Sequence, residues 1–135
     1  MSRVTATFAN DTYEEEPYGR DEGIEMSRVH ITRSFSGDLV GQSTAELLTA
    51  RTPDGSAAYV GLDRISASLD GKSGAFVLQH WGTVSEDGAS TAGAVVPGSG
   101  TGELRGLRGE GKIAVDASGA HTLELEYDLP DQPDR

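Results

Sequence analysis

The sequence contains no cysteine, which excludes a disulfide framework, a thiolate nucleophile and a zinc site with thiolate ligands. It also lacks any apolar run near the roughly 20 residues that a membrane-spanning helix requires. Its first residues, MSRVTATFAND, include no apolar stretch of signal-peptide length. We therefore expect neither a membrane partner nor export, and we expect the protein to act in the cytoplasm.

Basic residues are few: 11 lysines and arginines stand against 22 aspartates and glutamates, and the net charge is −11. Such a charge repels a phosphate backbone, so we expect no nucleic-acid partner. A chain of 135 residues is long enough to bury one core without a structural metal. We expect one domain over residues 1–130 and a disordered tail over residues 131–135.

Helical periodicity is also missing, and an alternation of apolar and polar residues takes its place. In HTLELEYDL the residues Leu123, Leu125 and Tyr127 share one strand face, while the acidic residues between them share the other. About eight such strands, separated by Gly, Pro, Asp and Ser clusters, predict an all-β barrel or sandwich. They span residues 4–8, 26–35, 41–50, 58–69, 75–84, 89–96, 111–115 and 121–129.

The segment NDTYEEEPYGRDEGIE interrupts this pattern between the first two predicted strands. Its proline, its two glycines and its dense acidic run predict a long loop over residues 10–25. Two interpretations stay open. The loop is either a solvated excursion on the surface or a lid over one end of the protein, with Tyr13 and Tyr18 as an apolar underside.

Motifs for nucleotide or metal chemistry are incomplete. Gly71-Lys72-Ser73 resembles the end of a phosphate-binding loop, but Ser66 replaces the required glycine. The glycine-rich stretch VVPGSGTGELRGLRGEGK has Glu103 where a dinucleotide fingerprint requires glycine. We therefore expect no cofactor, and we expect no metal because the histidines lack the close spacing of a metal site. They stand on three different predicted strands, at His30, His80 and His121.

The central segment YVGLDRISASLDGKSGAFVLQHWG predicts a β-hairpin, because Asp70-Gly71 is a strong two-residue turn signal. Pairing outward from this turn places Leu69 opposite Lys72. In that register Asp63 and His80 become diagonal neighbours on one face of the hairpin. A slip of two residues would put them directly opposite each other, whereas a slip of one residue would separate them onto different faces.

One face of this hairpin is mostly apolar with a few polar groups, which is typical of a small-ligand pocket. From it we take His80, Asp63 and Tyr59 as candidate catalytic residues, because a carboxylate beside an imidazole fixes its tautomer or favours its proton-donating form. The alternative is a structural pair in which Asp63 and His80 satisfy each other, Arg64 or backbone groups. The candidate ligand-binding residues are Phe76, Leu78, Ile65, Glu46, Tyr127 and Tyr18.

The stretches FSGDLVGQSTAE, AAYVGLDRISASLDGKSGAFVLQHWG and VVPGSGTGELRGLRGEG resemble the signature segments of a bacterial family of unknown function, grouped with allene-oxide-cyclase-like barrels. The resemblance covers nearly the whole chain. It implies a single eight-stranded antiparallel β-barrel, lipocalin-like in outline, which is often trimeric in the distantly similar allene oxide cyclases and dirigent proteins of plants. It carries over no catalytic residue. In such a barrel the glycine-rich stretch turns a corner, with Leu104 and Leu107 plugging the base.

Two functions of different classes remain open. The first is a small-molecule-binding barrel with an apolar, oxygen-bearing ligand inside, acting as an isomerase or cyclase in which His80 or Tyr59 stabilises developing charge. The second is a non-catalytic binding or assembly protein whose barrel is filled by side chains. Its outer surface, with Leu62 and Trp81, would contact a partner or other copies in a dimer or trimer.

Overall fold

The computed structural model describes residues 1–130, and within them the chain is all-β. Eight antiparallel strands follow one another in a single sheet, and the last pairs with the first so that the sheet closes into a ring. The predicted number and antiparallel arrangement of strands are thereby confirmed, while the predicted tail lies outside the described residues. The strands are Ser2–Asp21 (β1), Ile24–Gly37 (β2), Leu39–Arg51 (β3), Ala57–Leu69 (β4), Lys72–Ser85 (β5), Gly88–Val95 (β6), Arg108–Val115 (β7) and His121–Asp128 (β8).

The prediction of a loop over residues 10–25 is wrong, because this segment belongs to a β-hairpin. Strand β1 continues to Asp21 and pairs with β2 along this length, and the chain turns at Glu22 and Gly23, which both have positive φ. Two register shifts in β1 break the alternation that would have revealed the strand. Pairing of β1 with β8 ends at Phe8, so the distal part of β1 is an edge strand, where a proline is tolerated.

The β4–β5 hairpin has the predicted register, with Leu69 opposite Lys72 and Asp63 opposite Leu78. Asp70 and Gly71 have φ values of 52° and 85°, as a two-residue turn with positive φ at both central positions requires. The register places one side of each strand inside the ring and the other side outside. Asp63 and His80 therefore share the interior face, as the turn signal indicated.

The main core fills the end of the ring at which β4 turns into β5. Leu104 and Leu107 are almost fully buried in it, which confirms that the glycine-rich stretch inserts both leucines into the base. This stretch crosses β5 at Gly74, where any Cβ would collide with the backbone of Thr101. Gly102–Leu104 forms a short 3-10 helix, the helical element of the described residues. Within residues 1–130 no helix is long and apolar enough to cross a membrane.

The turn geometry predicts that Gly71→Ala destabilises the protein. A Cβ at this position meets no atom within 4 Å, so the penalty arises from the positive φ alone and amounts to about 1–2 kcal/mol. Urea-induced unfolding measures it. Gly19→Ala is the control, because φ lies outside the left-handed region there and the nearest atom to a new Cβ is 4.0 Å away. Equal destabilisation by both variants would contradict the assignment of the turn.

Candidate functional site

A chain of hydrogen bonds between four polar side chains crosses the interior of the ring. Arg33 Nη1 donates to Asp63 Oδ2 over 2.6 Å, and His80 Nε2 lies 3.3 Å from the same oxygen. On the other side of the imidazole, His80 Nδ1 lies 2.8 Å from the hydroxyl oxygen of Tyr59. The structure thus brings together the three predicted candidates for catalysis and adds an arginine to them.

Arg33 is the member of this chain that the sequence interpretation missed. It belongs to β2 and lies on the buried face of that strand, in line with Val29, Ile31 and Phe35. A charged residue on an otherwise apolar face was the available signal, since such a residue needs a buried partner. Arg64, the arginine considered instead, lies on the exposed outer side of β4.

The surroundings of Arg33 hold it firmly inside the protein. Its Nε donates to the side-chain oxygen of Asn10 over 3.2 Å, and its guanidinium carbon lies 4.9 Å from the centre of the Phe8 ring. The side chain of Arg33 is 7% exposed and that of Asp63 is 1% exposed. An ion pair this deep links β2 to β4, and removal of one partner would leave the other charge buried and uncompensated.

Asp63 is ionised despite its burial. Burial acts to raise the pKa of Asp63, but the hydrogen bond from His80 and the charge of Arg33 outweigh it and hold this pKa below the usual carboxyl value. The other carboxylate oxygen, Oδ1, is buried without a hydrogen-bond partner within residues 1–130. The contacts from Arg33 and His80 both meet Oδ2, while the nearby Ser43 hydroxyl also lowers the pKa of Asp63.

The imidazole of His80 links this carboxylate to a phenol. Because a carboxylate only accepts hydrogen bonds, a neutral His80 carries its proton on Nε2 and leaves Nδ1 free to accept the Tyr59 hydroxyl proton. Burial, reinforced by the nearby charge of Asp63, raises the pKa of Tyr59 although Arg33 opposes the shift, so the phenol keeps its proton at neutral pH. The Tyr59 ring meets the imidazole edge-on, with centroids 5.3 Å apart.

Tyr59 also lines a cleft of about 340 Å³ at the end of the ring opposite the main core. At its rim, Arg51 contacts both carboxylate oxygens of Glu15 over 3.2 Å. The cleft is mostly apolar, and its volume is at the lower end of the range for small-molecule sites. It is lined by Tyr13, Leu47, Thr49, Arg51, Ala57, Ala58, Tyr59, Gly82, Thr83, Val84, Ala89, Ser90 and Thr91.

The six predicted ligand-binding residues lie elsewhere. Phe76, Leu78 and Ile65 pack in the main core and are outside the lining of the cleft. Glu46 is exposed on the outer face of β3, where it lies 2.6 Å from the His30 imidazole. The other two are Tyr127, near Asp70 at the opposite end of the ring, and Tyr18, which is exposed on β1.

The histidines do not converge on a metal site. Only His80 belongs to the interior chain of hydrogen bonds, whereas His30 is paired on the exterior and His121 packs against the Phe8 ring. Across residues 1–130 no group of three or more His, Cys, Asp or Glu side chains is arranged to hold a metal ion. The interior site therefore consists of an ion pair, an imidazole and a phenol.

The chain matches a known family over nearly its whole length. The family described as "Protein of unknown function (DUF3224)" matches residues 4–127. The chain belongs to the DUF3224 family. It is similar to the crystal structure of a protein with unknown function from this family in Shewanella oneidensis MR-1, with 32% sequence identity, a TM-score of 0.83, and coverage of 98% of this chain and 99% of that one. Comparison with curated proteins gives no match.

The buried ion pair predicts that Asp63→Asn destabilises the protein by about 3–5 kcal/mol at neutral pH, because Arg33 loses its counter-ion. The low pKa of Asp63 in the folded state also means that its contribution is present above the ordinary carboxyl pKa and disappears as the pH falls through the folded value. Asp63→Asn should therefore flatten the loss of stability in acid. Urea unfolding at neutral and acidic pH measures both effects.

The matched control for this variant is Asp87→Asn, at an exposed position in the turn between β5 and β6. It should leave both the neutral-pH stability and the acid dependence close to those of the wild type. If the two variants lose the same stability, or if Asp63→Asn retains the full acid dependence, the buried ion pair is not the source of the effect.

Proposed function

We propose that the DUF3224 chain binds a small molecule in the cleft and contacts it through the hydroxyl of Tyr59. The observation that carries the proposal is the position of Tyr59, which lines the cleft and ends the buried series of hydrogen bonds through His80 to Asp63 and Arg33. A polar group that is held in place by buried hydrogen bonds and lines an apolar cleft is the usual arrangement for orienting a ligand.

The energetics of the buried charges support this proposal. A buried ion pair contributes little net stability, because desolvation offsets most of the attraction, and apolar residues of similar volume often serve the fold better. Here one oxygen of the carboxylate lacks a partner within the described chain. A buried charged group that destabilises the fold and lies next to a cleft is typical of a functional site. Here the hydrogen bonds through His80 and Tyr59 connect the Asp63 carboxylate to the cleft.

We also propose that the ring is an allene-oxide-cyclase-like barrel, lipocalin-like in outline. An eight-stranded ring is wide enough for its own side chains or one small ligand, and here the main core fills one end while the cleft opens at the other. In this setting an isomerisation or cyclisation is a suitable reaction, since it needs no cofactor. Tyr59 would orient the reacting group by accepting a hydrogen bond from it, with His80 and Asp63 holding the phenol in place.

The proposal predicts a ligand-dependent rise in melting temperature that depends on Tyr59. We would screen apolar, oxygen-bearing compounds of fatty-acid, polyketide and terpenoid type by thermal shift. A ligand at a hundred times its dissociation constant adds about 2.7 kcal/mol, which is several degrees for a domain of this size. Tyr59→Phe should weaken binding roughly tenfold, because one hydrogen bond to the ligand is lost.

Tyr18→Phe is the matched control, because it removes the same hydroxyl from an exposed position on β1. Each shift is compared with that of the same variant without ligand, so that the loss of the Tyr59–His80 hydrogen bond does not affect the comparison. Equal shifts in the two variants would remove Tyr59 from the binding site. A screen without any hit would favour the assembly function.

A second candidate, a non-catalytic assembly protein, is supported by an exposed apolar surface. Four residues on the outside of β3, β4 and β5 form what we call the outer apolar face: Leu48, Val60, Leu62 and Trp81, which are 45%, 56%, 54% and 46% exposed. Leu48 lies opposite Val60, and Val60 lies opposite Trp81, so these side chains adjoin across the strands. A contiguous exposed apolar patch of this kind marks an interaction site.

We propose a second copy of the chain as the partner on the outer apolar face. With a net charge of −11, two copies repel each other wherever their acidic residues meet. Among the outward-facing residues of β3, β4 and β5, all within the described chain, one is acidic: Glu46. Its carboxylate is already paired with His30. This face is therefore suited to contact between two copies, either in a dimer or as part of a trimer.

A charged substitution on the outer apolar face tests this contact. Leu62→Glu should abolish self-association, because it places a carboxylate of each copy in the contact. Val115→Glu is the control, since Val115 is 61% exposed on β7, away from this face. Sedimentation velocity over a range of concentrations gives the result. A wild-type protein that stays monomeric throughout, or equal dissociation by the two variants, would exclude the second copy as the partner.

A further inference from the structure

We infer, on the basis of the proposed function, that the ligand of the cleft is an uncharged apolar molecule with one hydroxyl group. Three features of the site lead to this inference: the internal neutrality of the buried polar chain, the arrangement of charge at the rim, and the hydrogen-bonding state of every hydroxyl in the lining. Together they specify the ligand's charge and its hydrogen-bonding role.

The inner end of the site offers no net charge to a ligand. Arg33 and Asp63 neutralise each other over 2.6 Å, and neither residue lines the cleft. The Nε of Arg33 donates to Asn10, and the guanidinium lies over the Phe8 ring. A charged head group that entered the apolar cleft would lose its hydration without gaining a counter-ion there.

The rim disfavours anions in particular. Arg51 is the charged residue within the lining, and both of its terminal nitrogens contact Glu15. Glu15 thus already occupies the guanidinium at this entrance, and no other charged residue lines the cleft within the described chain. An anionic ligand would have to displace Glu15 from Arg51 and would approach its carboxylate, a like charge, which opposes binding.

Tyr59 differs from the other hydroxyl groups of the lining because it ends the buried polar chain, whereas the others bond to backbone groups, to the rim carboxylate or to each other. Thr91 exchanges hydrogen bonds with the backbone of Ile113, and Thr49 donates to the carbonyl of Ser27. Tyr13 donates to Glu15, and Thr83 pairs with Ser90.

With a neutral His80, Tyr59 donates its proton to His80 Nδ1, so its oxygen keeps lone pairs that accept hydrogen bonds. A ligand that meets this oxygen must donate. A hydroxyl group does so without carrying a charge, whereas an ether or a ketone presents one acceptor to another. The hydrogen-bonding state of the cleft therefore points to an alcohol.

Three probes with eight carbon atoms each test the inference: octanol, its isomer heptyl methyl ether, and octanoate. Binding is followed by NMR titration of the backbone amides of Gly82 and Thr91, which line the cleft. We expect octanol to bind, and the ether and octanoate to bind about tenfold more weakly, as expected for one hydrogen bond or one unfavourable charge. Equal or tighter binding of the ether or of octanoate would overturn the inference while leaving the proposed function intact.

A rim variant separates charge exclusion from poor fit. Glu15→Gln removes the carboxylate that holds Arg51, so octanoate should bind about tenfold more tightly than to the wild type, with octanol unchanged. Glu110→Gln, at an exposed position on β7, is the control and should change neither affinity. An unchanged octanoate affinity in Glu15→Gln would refute the role of the rim. If no probe perturbs the cleft amides, both the inference and the proposed function of this cleft fail.

Discussion

The ion pair between Arg33 and Asp63 is the interaction on which the interior of the ring depends. It joins β2 to β4 across the inside, and the imidazole of His80 extends the connection to β5. Both charges are almost completely buried, so each requires the other to remain in place. The position of Tyr59 follows from this arrangement, because its hydroxyl is bonded to the same imidazole.

This polar group divides the interior into two parts. On one side, sixteen buried residues pack into the main core, and the glycine-rich stretch closes that end with Leu104 and Leu107. On the other side, a smaller cluster of four residues, Val29, Ile31, Ala45 and Leu47, packs with Tyr59 below the cleft. The full end supplies the packing that stabilises the fold, and the less filled end remains available to a ligand.

The parts of this structure that were predictable from sequence are those determined by local signals. Asp70-Gly71 specifies a two-residue turn, and the register of β4 with β5 follows from it, which brings Asp63 within reach of His80. The distal half of β1 was not predictable in this way. Its two register shifts interrupt the alternation of apolar and polar residues, and this half is held in place by pairing with β2.

Arg33 escaped prediction for a different reason. It lies 30 positions from Asp63 in the sequence, and the two meet only because β2 and β4 flank β3 in a curved sheet. The sequence of either strand alone does not indicate which residue of the other strand it contacts. The prediction that Phe76 and Leu78 bind a ligand also depended on contacts that the sequence does not specify. A strand pattern separates inward from outward residues, but it does not indicate which inward residues are covered by the packing of the core.

The two proposed functions occupy opposite faces of the same strands. Tyr59 points inward and Val60 outward, and the same relation holds for His80 and Trp81. A second copy on the outer apolar face would thus restrain the backbone segments that position the phenol and the imidazole.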